Sequence, residues 1–306
     1  MKTRKITYFY IERRPITGAN NQPENITILR EIFQYIMTLD AVRNRDMNVG
    51  EFAKKACYLE SAQRTQEPID HWRLLFLSAK IDDRRPVMNL LTKQTRPNPK
   101  DREEGEKEKN HLVMNFDLER DQGIILFEVN KNGITINNVL EYLTRFTGLY
   151  YRNLGQDRPF TLHLSKVVTE EEFIDFVNRM TRVKRITVNL DKQIIGNQNL
   201  EFSDRIQRVK SSVKLELKAE RNQSIADAVP DFFRNYTNRQ NTLIRSIEVE
   251  GVGEGPNRQA IINTDALGKK HTIQIDQNPE TEEVSTPNAF LNLSHLLSTF
   301  IGANGA

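Results

Sequence analysis

Residues 124–148, IILFEVNKNGITINNVLEYLTRFTG, contain a strand, a turn and a helix in direct succession, and this unit indicates the fold class of the chain around it. Ile124 to Val129 is apolar except for Glu128 and has the length of a buried strand. Lys131-Asn132-Gly133 supplies turn residues. Thr135 suits a helix N-cap, and apolar residues then recur at helical spacing up to Gly148, which we expect to end the helix.

The same two patterns recur on both sides of this unit. On the N-terminal side, the predicted elements are strands at Lys5–Ile11, Trp72–Leu77 and His111–Phe116 and a helix over Leu29–Ile36. On the C-terminal side, strands and helices alternate from Phe160 to a final helix that opens at Thr286. The pattern predicts an α+β fold of two lobes, each a mainly antiparallel or mixed sheet with helices on one face.

A chain of 306 residues is long enough for about two domains. We place the boundary at Tyr150–Arg158 (YYRNLGQDR), which predicts an N-terminal lobe over 1–150 and a C-terminal lobe over 158–306. Within the first lobe, Lys93–Asn110 has many charges and no large apolar residue. Such a segment cannot bury enough surface to offset its ordering entropy, so we predict a mobile insertion over 93–110.

Composition narrows the class of protein. No apolar run approaches the roughly 20 residues that span a bilayer, so we expect no direct membrane insertion. The single cysteine, Cys57, excludes an intrachain disulfide and any multi-cysteine metal site. The five histidines lack the spacing of zinc ligands, and no cofactor motif is present. We therefore expect a cytoplasmic protein without a cofactor.

Charge is unevenly distributed along the chain. Residues 179–245 carry 14 Lys/Arg against 7 Asp/Glu, whereas residues 246–306 carry 3 against 8. The first 178 residues are nearly neutral, with 27 against 26. A basic surface attracts polyanions, so this distribution predicts a basic surface over 179–245 in the second lobe and an acidic neighbour.

The basic stretch predicts a site for nucleic acid, with duplex DNA as the first expectation. Cations along a surface displace the counterions condensed on a phosphate backbone, and short polar side chains nearby can also bind phosphates. The candidate contacts are Arg179, Arg182, Lys184, Arg185, Arg205, Arg208, Lys210, Lys214, Lys218 and Arg221. We expect a non-enzymatic binding protein that is a homo-oligomer, and its first lobe would serve dimerisation or partner docking.

Two other functions remain open from the same residues. Glu216-Leu217-Lys218 on a strand is the pattern with which some metal-dependent nucleases place an acid on Mg²⁺ and a lysine beside the phosphate. Such a site also needs an upstream acid, for which Asp191 or Asp204 could serve. The third hypothesis is an interaction component of a multi-subunit complex, whose basic and acidic regions pair across protomers.

Four segments resemble a loose group of bacterial and phage defence proteins that includes the RexA-type abortive-infection proteins. The segments are KITYFY at 5–10, DHWRLLFLSAKIDDRRP at 70–86, ILFEVNKNGITINNVLEYL at 125–143 and SSVKLELKAERN at 211–222. The resemblance carries over no catalytic residue. It implies a cytoplasmic DNA-binding component of an anti-phage response that is oligomeric and works with a second defence protein.

Overall fold

The computed structural model describes residues 1–16, 25–40, 44–49, 55–80, 86–101, 104–168, 170–191, 212–237, 244–253, 259–264 and 267–304. The chain forms two compact units. The first contains residues 1–164 and 270–306, and the second contains residues 165–269. The predicted α+β class is confirmed, since each unit combines an antiparallel sheet with helices.

The first unit is built on an eight-stranded sheet. Seven of its strands follow the order β14-β1-β8-β7-β4-β3-β2, and β9 also pairs with β1. These strands are β1 (Lys2–Pro15), β2 (Met47–Val49), β3 (Lys55–Thr65), β4 (His71–Lys80), β7 (Glu108–Asp117), β8 (Gln122–Val129), β9 (Phe160–Lys166) and β14 (Lys270–Ile275). A small separate hairpin joins β5 (Val87–Met88) to β6 (Thr95–Arg96).

Strict alternation along the strands sorts the core of this unit into two layers. Phe9, Trp72 and Leu112 belong to a buried cluster with helices α1 (Ile28–Thr38) and α2 (Ile136–Asn153). Their neighbours in sequence face α5 (Thr286–Asn304): Tyr8 contacts the ring of Phe300 at 5.3 Å. The first unit therefore carries helices on both faces of its sheet, where the sequence predicts helices on one.

The strand, turn and helix over 124–148 form as predicted, apart from the end of the helix. The Thr135 side chain accepts a hydrogen bond from the Asn138 amide, and β7 and β8 form a hairpin. The helix continues through Gly148 to Asn153, where the sequence predicts a stop at Gly148. A Cβ at Gly148 would lie in open space, so no close packing requires a glycine there, and the buried Tyr151 beyond it adds apolar contacts that outweigh the low helix propensity of one glycine.

The second unit is a four-stranded sheet in the order β11-β10-β12-β13, and every neighbouring pair is antiparallel. Its strands are β10 (Arg182–Asp191), β11 (Ser212–Lys218), β12 (Ile244–Val252) and β13 (Gln259–Asn263). Helices α3 (Glu170–Asn178) and α4 (Val229–Thr237) pack on one face, where the rings of Phe173 and Phe233 stack at 4.8 Å. The other face carries mainly polar side chains.

The units divide the chain differently from the predicted lobes at 1–150 and 158–306. Residues 270–306 belong to the first unit, because β14 pairs with β1 and α5 packs against β7. Residues 150–153 are the last turn of α2, so the predicted linker begins inside a helix. Sequence order cannot show that a C-terminal strand returns to the edge of the first sheet.

The predicted insertion over 93–110 also needs correction at both ends. Glu108–Asn110 belongs to β7, and the Asn110 side chain is fully buried. Thr95 and Arg96 pair with Met88 and Val87 in the small hairpin. Among the described residues between, Lys100 pairs with Glu106 at 3.0 Å and Lys107 pairs with Glu283 at 2.5 Å. No helix in the described part of the chain combines the length and apolar character needed to cross a bilayer.

Candidate nucleic-acid interface

The described cations of the predicted interface lie on β10, β11 and the turns at their ends. Arg179 and Arg182 precede or begin β10, and Lys218 and Arg221 end or follow β11. Lys214 is exposed in the middle of β11, opposite Asn189. Three predicted contacts, Arg205, Arg208 and Lys210, lie outside the described residues, as does the proposed acid Asp204.

Antiparallel pairing brings two segments that are distant in sequence to one end of the sheet. The Ala219 amide donates to the Lys184 carbonyl over 2.9 Å, and the Ile225 amide donates to the Val183 carbonyl over 3.2 Å. The Ser224 hydroxyl accepts from the Val183 amide over 3.1 Å. These bonds fix the turn after β11 beside the first residues of β10.

Five cations collect at this end, and we call them the basic end: Arg179, Arg182, Lys184, Lys218 and Arg221. Four are exposed, and the half-buried Arg182 donates to the side-chain oxygen of Asn222 at 3.5 Å. Asn222 has a φ of 67°, a conformation that asparagine tolerates better than most residues. Glu216 pairs with Lys218, and Glu220 and Asp227 are exposed on the adjoining turn, so five cations face three carboxylates and the basic end retains a local positive excess.

A β-bulge gives the side chains of Lys184 and Arg185 different surroundings. The register of β10 against β12 shifts between Val183 and Arg185, which leaves Lys184 as the extra residue. Arg185 donates to Glu216 at 3.2 Å and forms a second, shorter ion pair with Glu250. Because two carboxylates already bind Arg185, this predicted phosphate contact is neutralised in the structure, whereas Lys184 is exposed.

The same ion pairs bear on the nuclease hypothesis. Glu216 also lies 3.4 Å from the Lys218 ammonium. The hydrogen bond from Arg185, with a smaller contribution from Lys218, holds the pKa of Glu216 below its ordinary value. Among the residues that the structure describes, no group of three or more His, Cys, Asp or Glu could hold a metal ion. The nuclease stays a prediction: Asp191 pairs with Ser212, four residues along β11 from Glu216, and Asp204 lies outside the described residues.

Charge over the whole second unit is close to balanced. Residues 165–269 carry 17 Lys/Arg against 15 Asp/Glu, because the unit includes acidic residues on both sides of the basic stretch. On the polar sheet face, Glu248 and Glu250 of β12 lie beside Thr187 and Arg185 of β10. Among the residues that the structure describes, the positive character of this unit is concentrated at the basic end and does not extend over the sheet face.

A buried polar network in the first unit is absent from the sequence-based predictions. His111 and Glu128 are fully buried, and the imidazole Nδ1 lies 2.5 Å from the Glu128 carboxylate. Arg4 forms an ion pair with the same carboxylate at 2.9 Å, and His111 Nε2 lies 3.1 Å from the Thr286 hydroxyl. This series joins three strands to the start of α5.

The geometry of this network favours a structural role. His111 stacks edge-on against Phe290 of α5 at 5.1 Å, in the layer between helix and sheet. A polar groove of about 720 Å³ reaches Arg4, but its Lys107 and Lys109 both pair with Glu283, at 2.5 and 3.2 Å. In the sequence, this network corresponds only to polar residues at alternate positions of otherwise apolar strands. That pattern does not distinguish a structural role from a functional one.

Comparison with known proteins adds no family assignment: no family model matches the chain, and a search of curated proteins gives no match.

Proposed function

We propose that the protein binds nucleic acid, with duplex DNA as the first candidate, by contacting phosphates through the basic end of the second unit. The observation that supports this most is the convergence of residues 179–184 and 218–221, which hydrogen bonds hold together. Lysine and arginine side chains that share one fixed end of a sheet can neutralise several adjacent phosphates. Scattered cations of the same number would release fewer counterions.

The neighbouring groups fit phosphate contacts better than base recognition. Asn222 and Ser224 supply polar groups in the turn beside Arg221, and both lie on ordered backbone. None of the described helices carries the basic end, so it lacks a recognition helix for the major groove. We therefore propose that binding depends strongly on salt concentration and only weakly on the sequence of the nucleic acid.

The test removes three positive charges from the basic end and the same number elsewhere. The variant Lys184→Gln/Lys218→Gln/Arg221→Gln should weaken binding to unrelated duplexes alike. The slope of log K against log salt should also flatten by about 2.7, since each lost phosphate contact contributes about 0.9. Fluorescence anisotropy with labelled duplexes measures both quantities.

The matched control is Lys5→Gln/Lys131→Gln/Arg152→Gln, which removes three exposed cations from separate places in the first unit. It should change the slope of log K against log salt by less than about 0.9, which is the contribution of one phosphate contact. Equal losses from the two variants would show diffuse attraction without a site. A loss confined to one duplex sequence would indicate base recognition and contradict the proposal.

The wider role that we propose rests on the resemblance of sequence segments and on the cysteine content. The resemblance of the quoted segments supports a cytoplasmic component of anti-phage defence, oligomeric and paired with a second protein. Cys57, the single cysteine, is a buried free thiol whose pKa burial raises to about 12, and a chain without disulfides is typical of a reducing compartment.

A further inference from the structure

The small hairpin of the first unit exposes every one of its residues to solvent. We call residues 86–97 the arm: β5 and β6 pair through Val87–Arg96 and Met88–Thr95, and all twelve residues are exposed. Leu90 and Leu91 at its tip are 72% and 94% exposed, and Met88 is 49% exposed. Adjacent leucines this exposed are unusual on a protein surface and mark contact with another apolar phase or partner.

The tip is an ordered turn that holds the leucines outward. The Asn89 amide donates to Gln94 over 2.9 Å, and the Lys93 amide donates back to Asn89 over 2.8 Å. The Asn89 side chain also accepts from the Leu91 and Thr92 amides. These bonds close a four-residue loop over 90–93, in which Leu90 and Leu91 are exposed to solvent.

Positive charge accompanies the apolar tip. From Arg84 to Lys100 the sequence contains five Lys/Arg and no Asp or Glu. Lys93 adjoins the tip and Arg96 lies on β6, and neither forms an ion pair with any described residue. The arrangement is an apolar end with cations directly behind it, which matches the depth profile of an anionic bilayer surface, where acyl chains lie beneath phosphate headgroups.

From this arrangement we propose that the arm docks the protein on an anionic lipid bilayer, with Leu90 and Leu91 inserted at the level of the upper acyl chains and Lys93 and Arg96 among the headgroup phosphates. The sequence predicts no direct membrane insertion, because no apolar run is long enough to span a bilayer. The arm needs only shallow burial. This proposal is independent of nucleic-acid binding at the second unit.

A duplex is the less favoured partner for the arm. An apolar wedge between base pairs is one side chain at a base step, and unstacking that step costs a few kcal/mol. Two adjacent leucines with Met88 below them offer more apolar surface than one step can bury. A bilayer can bury all three without breaking an ordered structure.

The first experiment is co-sedimentation of the full chain with vesicles of phosphatidylcholine and phosphatidylglycerol in equal parts. The wild-type protein should bind, and Leu90→Ser/Leu91→Ser should reduce the partition coefficient by at least about tenfold, since one buried leucine side chain is worth roughly that factor. Lys93→Gln and Arg96→Gln should each cost about fivefold. Vesicles of phosphatidylcholine alone should bind the wild-type protein more weakly than the mixed vesicles.

The matched control replaces two exposed leucines elsewhere in the first unit, Leu118→Ser/Leu154→Ser, which are 60% and 51% exposed. Leu118 lies between Asp117 and Glu119, so it lacks the cationic surroundings of the arm. This variant should bind the mixed vesicles like the wild type. Absence of wild-type binding, or equal loss in both leucine variants, would overturn the proposal.

A second measurement reports on the tip directly. Because Cys57 is buried, Leu91→Cys provides a single accessible thiol for a polarity-sensitive dye, and Leu118→Cys provides its control. Mixed vesicles should shift the emission of the dye at 91 to shorter wavelength and leave the dye at 118 unchanged. A shift at 91 on addition of duplex DNA, and none with vesicles, would assign the arm to nucleic acid and overturn the lipid proposal.

Discussion

His71 links the sheet of the first unit to α5 through hydrogen bonds of defined direction. Its Nδ1 lies 2.7 Å from the Ile69 carbonyl, which can only accept, so Nδ1 carries the proton. Nε2 of the neutral ring then accepts from the Ser294 hydroxyl at 2.7 Å, and Arg73 donates to the same hydroxyl at 3.1 Å. A second proton on the ring would force the hydroxyl to reverse while buried beside a guanidinium.

This geometry predicts a pH dependence of stability. Desolvation lowers the pKa of His71, the Arg73 charge lowers it further, and the Ile69 hydrogen bond opposes both. Because the folded pKa lies below the unfolded value of about 6.5, the unfolded state binds the proton first as pH falls. The free energy of unfolding should therefore decrease between about pH 7 and about pH 5.

The measurement is urea unfolding across that pH range. His71→Gln, which keeps a polar group but does not titrate, should flatten the dependence. The same change at His271, which is exposed on β14, should leave the dependence as in the wild type. An unchanged slope in His71→Gln would mean that other groups control acid stability.

Among the elements, α5 shows most clearly how packing decides the fold. Leu293 is fully buried against the sheet, while Leu291, two positions earlier on the same helix, is 53% exposed. Leu293→Ala should lower the free energy of unfolding by about 2–5 kcal/mol, through lost apolar burial and the cavity that remains. Leu291→Ala should change it by less than about 0.5 kcal/mol.

Chemical denaturation of both variants distinguishes a docked helix from a loosely attached one. Similar small effects in the two variants would contradict the packing of α5 on the sheet. A large loss from Leu291→Ala would place the buried face of the helix elsewhere.

Sequence patterns predicted the elements that carry a local signal. The cap at Thr135 and the strands predicted at Trp72–Leu77 and His111–Phe116 all follow from residues close in sequence. The second layer on the first sheet could not be predicted in this way. β4, HWRLLFLSAK, is apolar on both faces, so alternation does not show which helix covers each face.

The sequence predicts which residues could form the candidate interface. It does not predict how the fold arranges them. Which of Lys184 and Arg185 is available depends on a one-residue bulge, and the two carboxylates that bind Arg185 come from strands on either side. The convergence of 179–184 with 218–221 depends on strand register. Neither property leaves a mark in the local sequence.

For the whole molecule, the charges that are segregated along the sequence are nearly balanced within each folded unit. The first unit carries 27 Lys/Arg against 26 Asp/Glu, and the second carries 17 against 15. Long-range attraction by net charge is therefore weak, and affinity for a polyanion must come from close contacts at the basic end. This makes the number of phosphate contacts the quantity that defines the proposal.

The most direct test is the affinity of the wild-type protein for a duplex DNA measured over a range of salt concentrations. Five contacts at the basic end predict a slope of log K against log salt of about −4 to −5. Two duplexes of unrelated sequence should give the same slope and similar affinity. No detectable binding at about 50 mM salt, or a slope shallower than about −1, would contradict a phosphate-binding site at the basic end.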